Sequence, residues 1–96
     1  MNDSDFLKLL AAATVVAKPF DPESATVTDM DMAFVSVNVD SLDMLMISIY
    51  MTDIFGVPEE IAKTMQVNNA REMREFLLEH GTIEVIDVDQ VIADLK

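Results

Sequence analysis

The residues best placed to do chemistry are Asp40, Ser41 and Leu42, which stand where a long connecting stretch gives way to an apolar segment ending at Phe55. A serine there has two uses. Its hydroxyl can cap a helix, as the neighbouring Asp40 also can, or it can react as an exposed hydroxyl at the junction of loop and helix. Other chemistry is thin. The chain has no cysteine, which excludes disulfides, zinc–thiolate sites and a thiol nucleophile. His80 is the only histidine and has no acid or nucleophile to work with, so it reads as a surface or helix-terminal residue. Gly56 and Gly81 are the only glycines, too few for a glycine-rich phosphate loop. Asp29-Met30-Asp31 lacks the further oxygen ligands and the glycine of a calcium loop, so no metal is expected. The chain does not read as an enzyme.

The elements that must position Ser41 follow from periodicity. From Val39 to Phe55 the sequence makes a helix of about four turns. Ile47, Met51 and Phe55 recur at i, i+4 and i+8, with Leu42, Leu45 and Ile49 thickening the apolar side. Asp40 and Ser41 suit its N-cap, and Asp43 places a carboxylate at the positive end. Before it, Asp3 or Ser4 can cap a first helix whose apolar face is Phe6, Leu9, Leu10, Ala13 and Val16, stopped by Lys18-Pro19. After it, Gly56 supplies a left-handed stop and Pro58 suits the start of a short helix. Asn69 with Glu72 forms a capping-box-like start to another helix, with core residues Met73, Phe76 and Leu77 and a stop at Gly81. Helices are therefore expected over 4–17, 41–55, 59–65 and 69–79. The connection between the first two is long, with Phe20, Val27, Met30 and Phe34 available to pin it to the core. Val35 to Val39 alternates like a strand but has no partner strand, so no sheet is expected. Residues 82–96 form a C-terminal extension in which Val88, Val91, Ile92 and Leu95 are spaced for a short helix, with Asp87 able to cap it. This extension can cover the same domain, mediate association, or stay partly disordered.

Ninety-six residues make one small domain with net charge −12. Between Pro19 and Ala62 there is no lysine or arginine to offset nine carboxylates. That argues against a nucleic-acid or anionic-membrane role, each of which needs a basic footprint, and favours basic protein partners. No apolar run is long enough to span a bilayer and no basic leader is visible, so a cytoplasmic location is expected. Five of the eight methionines lie between Met30 and Met51, which suits either an adaptable ligand groove or ordinary core filling.

Asp40-Ser41-Leu42, the apolar helix, the Phe55-Gly56-Val57-Pro58 turn, the short helix and the final amphipathic helix together resemble an acyl carrier protein. The likeness runs from about Phe6 to His80. It implies an all-α fold: a small four-helix bundle of acyl-carrier-protein type over residues 1–81, with a long loop between helices 1 and 2. The extension, residues 82–96, would add an extra C-terminal helix on the same domain. It also implies that Ser41, flanked by Asp40 and Leu42, carries a covalent 4′-phosphopantetheine arm taken from coenzyme A by a phosphopantetheinyl transferase. The arm would hold an acyl chain as a thioester for acyl-transferring and ketosynthase-type enzymes with basic docking surfaces. The carrier would be a monomer that catalyses nothing itself. One departure from the family pattern is Asn38, where a glycine is usual.

Asp43, Met46, Tyr50 and Asp53 are the expected partner-recognition residues, charge steering an enzyme in and the Met46–Tyr50 face selecting it. Met44, Met46, Tyr50 and Thr52 stand where fatty-acid carriers show acids, which favours a specialised lipid or polyketide pathway over housekeeping fatty-acid synthesis; the other reading is that three of them are buried, by a shifted helix face or by the C-terminal extension. The alternative is an acidic helical interaction or regulatory domain in which Ser41 is only a helix cap.

Overall fold

The computed structural model describes every residue except Asp21, Pro22, Asn38 and Lys96. Asn38, the expected departure from the carrier pattern, therefore lies outside the described residues. The described residues form five α-helices: α1 (Asp3–Ala17), α2 (Ser41–Phe55), α3 (Glu59–Ala62), α4 (Ala70–His80) and α5 (Val88–Leu95). No strand occurs among the described residues, those of the alternating stretch before α2 included, and Ala33 makes a single bridge to Asn69. None of these helices is long and apolar enough to cross a membrane.

α1 begins one residue earlier than expected because Asn2, not Asp3 or Ser4, takes the cap: its side-chain oxygen accepts the Asp5 amide at 2.7 Å. It ends at Ala17 because Lys18 precedes proline and cannot hold helical dihedrals; its φ and ψ are −137° and 71°. Phe6, Leu9, Leu10, Ala13 and Thr14 form its buried face. Thr14 tolerates burial because its hydroxyl donates to the Leu10 carbonyl at 2.8 Å.

The long connection carries two 3-10 turns, Glu23–Ala25 and Phe34–Ser36, and buries Val27, Met30 and Phe34 as expected. Phe20 does not pin it: that ring is fully exposed. The pinning comes from α4 and its approach. The Phe34 amide donates to the Asn68 carbonyl at 2.8 Å, the Arg71 amide donates to Met30 at 2.9 Å, and the Arg71 guanidinium binds Asp31 at 2.7 Å.

α2 packs chiefly on α1 and less on α3 and α4, burying Ile47, Met51, Thr52 and Phe55. The Phe55 ring lies 6.5 Å from that of Phe6, a tilted pair at the centre of the core. Leu42, Leu45 and Ile49, expected in the core, face outward with 65%, 57% and 52% of their surface exposed. α2 is apolar nearly all round, and only one side can meet α1. Its stop is Gly56 at φ 68°, where a Cβ would also meet the Thr82 and Ile83 side chains within 3 Å.

α3 is a single turn preceded by Pro58 at the N-cap position; Lys63 and Thr64 continue as a turn and Met65 is irregular, so the helix does not reach residue 65. α4 is capped as the sequence indicates, with the Asn69 side chain accepting the Glu72 amide at 2.9 Å. It buries Ala70, Met73 and Leu77, while Phe76 is half-buried. Beyond it, Thr82 and Ile83 both donate backbone amides to the Phe55 carbonyl, at 2.9 and 3.0 Å. The Thr82 hydroxyl donates to Gly56 at 2.6 Å. α5 then lies on α1, capped by Asp87 and applying half-buried Val88, Val91, Ile92 and Leu95 to the core; Lys8 and Asp89 form an ion pair between the two helices.

Candidate functional site

Ser41 is the first residue of α2, and its position is fixed from both sides by a reciprocal cap. The Asp40 carboxylate accepts the Asp43 amide at 2.8 Å, and the Asp43 carboxylate accepts the Asp40 amide at 3.4 Å. Capping thus falls to Asp40, so Ser41 has no capping role. Ser41 is exposed, and among the described residues no group hydrogen-bonds its hydroxyl.

One residue per 100° around the helix puts Ser41, Met44, Leu45 and Ser48 on one flank of α2. That flank lines an open cleft of about 530 Å³. Phe34, Val39, Ala62, Met65 and Val67, from the connection before α2 and from α3 and the turn after it, complete a mostly apolar wall, with Lys63 and Asn68 beside them. Ser41 and Asp40 belong to the same wall, so a group attached to Ser41 has apolar surface beside it.

Asp43, Met46, Tyr50 and Asp53 fall together on the opposite flank. Of these, Asp53 is exposed, whereas Asp43, Met46 and Tyr50 are half-buried and Tyr50 packs against the core. The stretch without cations proves not to leave Asp43 unopposed. Lys18, immediately before that stretch, folds back so that its ammonium lies 3.4 Å from the Asp43 carboxylate. Between the two flanks, the outward crest of α2 is Leu42, Leu45 and Ile49 at i, i+3 and i+7, beginning directly beside Ser41. The residues standing where acids were expected do not make up this crest. Met44 lines the cleft, and Thr52 is buried with its hydroxyl bonded to the Ser48 carbonyl at 2.8 Å. The crest and Lys18 are what the sequence reading missed.

Among the described residues the other titratable groups form no reactive arrangement. The His80 ring packs tilted against Phe76, centroids 4.6 Å apart, and its Nε2 lies 3.8 Å from the Glu79 carboxylate. Asp31 is held below the usual carboxylate range by its hydrogen bond from Arg71. Among the described residues no three metal-binding side chains cluster. No protein-family model, no curated protein and no solved structure matches this chain.

Proposed function

We propose that this chain is an acyl carrier protein whose Ser41 carries a 4′-phosphopantetheine arm. The observation that carries this reading is the placing of the Ser41 hydroxyl: exposed, relieved of capping by Asp40, and on the wall of an apolar cleft. A volume of about 530 Å³ lies within the range of pockets that hold small ligands, and the cleft's lining suits an acyl chain. The all-helical fold with its long first connection is consistent with a bundle of the acyl-carrier type.

On this reading the Ser41 oxygen attacks the pantetheine-side phosphorus of coenzyme A within a transferase. A phosphodiester forms, the pyrophosphate bond breaks, adenosine bisphosphate leaves, and the serine proton passes to a base of the transferase. No base is needed from this chain. When bound, the arm supplies a thiol that carries acyl groups as thioesters. Asp40 and Asp43 hold the helix end that presents Ser41, and Leu42 begins the apolar crest beside it. The pathway served would be a lipid, fatty-acid or polyketide one.

The exposed crest of Leu42, Leu45 and Ile49 also favours a second reading, an acidic interaction domain with an unmodified Ser41. Transfer of a fluorescent coenzyme A analogue by a broad-specificity transferase separates the two. The carrier is labelled and its Ser41→Ala variant is not; an interaction domain takes no label in either form.

A further inference from the structure

We propose that Lys18 is a specificity-determining residue of this site: it withdraws the Asp43 charge from the docking face, so that partners read an apolar crest rather than an acidic helix. The inference rests on the reading of Ser41 as the modified residue. Asp43 lies two residues after Ser41 and is the first acid of α2, on the flank that also carries Met46, Tyr50 and Asp53. Its carboxylate is engaged twice, by the Asp40 amide and by the Lys18 ammonium, both at 3.4 Å. The pair is partly sheltered, with 21% of the Lys18 side chain and 16% of the Asp43 side chain exposed. By contrast, the Lys8–Asp89 pair on the α1–α5 side leaves 57% and 76% exposed.

Sheltering decides what such a pair does. A solvent-exposed pair is loosely held and screened by salt, whereas a sheltered one keeps its charges neutralised against each other. Lys18 is the last residue of its segment before the cation-free stretch and sits at the α1 terminus, fixed by the proline that follows. From there the side chain reaches α2, where the ammonium meets the Asp43 carboxylate. What remains outward next to Ser41 is Leu42, Leu45 and Ile49, with Asp40 before them and Asp53 beyond. Replacing Lys18 by a neutral residue releases the Asp43 carboxylate toward solvent and toward a docked basic surface.

The test uses the full-length Ser41→Ala chain, which cannot be modified, and a phosphopantetheinyl transferase with a basic docking surface. Its Kd is measured from low to high salt. Lys18→Gln should bind about two- to fivefold tighter at low salt, the gain vanishing at high salt. Lys18→Arg should match the parent, and Lys18→Gln with Asp43→Asn should return to it. Lys8→Gln, which makes the same change in net charge away from Ser41, should leave the salt dependence unaltered. Parallel salt curves for Lys18→Gln and Lys8→Gln overturn the proposal. If Lys18→Gln fails to fold, Lys18→Met, which keeps the aliphatic stem, takes its place: tighter binding at low salt supports the proposal, and a salt curve parallel to that of Lys8→Gln overturns it. Failure of the transferase to modify wild type would instead remove the carrier reading itself.

Discussion

Asp40 and Asp43 cap each other across the first turn of α2, the Asp40 carboxylate taking the Asp43 amide at 2.8 Å and the Asp43 carboxylate facing the Asp40 amide at 3.4 Å. Ser41 and Leu42 lie between them, so the geometry of the candidate attachment point depends on two carboxylates. Asp40→Ala should cost about 1 kcal/mol, lowering the melting temperature by roughly 4–8 °C, and should slow modification of Ser41 as the first turn frays. Asp40→Asn, which can still accept the amide, should recover most of both. Thermal melts followed by circular dichroism, with modification rates alongside, check this; an Asp40→Ala protein as stable as wild type would mean the cap carries no weight.

The outward crest of α2 separates surface from core by mutation. Met51→Ala removes a wholly buried side chain and should cost about 2–5 kcal/mol in urea unfolding. Leu42→Ala and Ile49→Ala should stay within about 0.5 kcal/mol of wild type, because those side chains are more than half exposed. Equal costs on the two sides would show α2 turned the other way about its axis.

Much of this was legible in the sequence, and the reasons are local. The ends of α2 and α4 were readable because Asp40, Asn69 and Gly56 are residues with narrow uses at helix termini, and each fills that use. The start of α1 was not, since Asn2, Asp3 and Ser4 are three cap-competent residues in a row. The facing of α2 was unreadable for a different reason. Ile47, Met51 and Phe55 compete with Leu42, Leu45 and Ile49 as equally apolar stripes, and only contact with α1 chooses between them. Thr52 looked like a surface residue, but its hydroxyl is satisfied within its own helix and so can be buried. At the site, Ser41 stood out by its place in the chain, whereas the Lys18–Asp43 pair joins residues 25 apart that no local pattern connects.

Acid titration isolates one contact of the long connection. The hydrogen bond from Arg71 to Asp31, aided by the charge of the guanidinium, lowers the Asp31 carboxyl below its ordinary range. A depressed folded-state value means the contribution to stability is present above the unfolded carboxyl value and is lost as pH falls through the folded one. Carboxyl-detected NMR should therefore show Asp31 titrating below a normal aspartate, and Arg71→Gln should bring it back to the ordinary range. Both side chains are substantially exposed, so the accompanying change in stability should be small. An unmoved Asp31 titration in Arg71→Gln would show that the pair does not hold in solution.

The central claim concerns one oxygen atom, the Ser41 hydroxyl, and intact-protein mass after incubation with coenzyme A, magnesium and a broad-specificity transferase tests it most directly. Wild type should gain the mass of one phosphopantetheine, fragmentation should place it on Ser41 rather than Ser36 or Ser48, and folded Ser41→Ala should gain nothing. A wild-type chain left unmodified by several transferases, or a Ser41→Ala chain that still takes the group, would contradict the assignment.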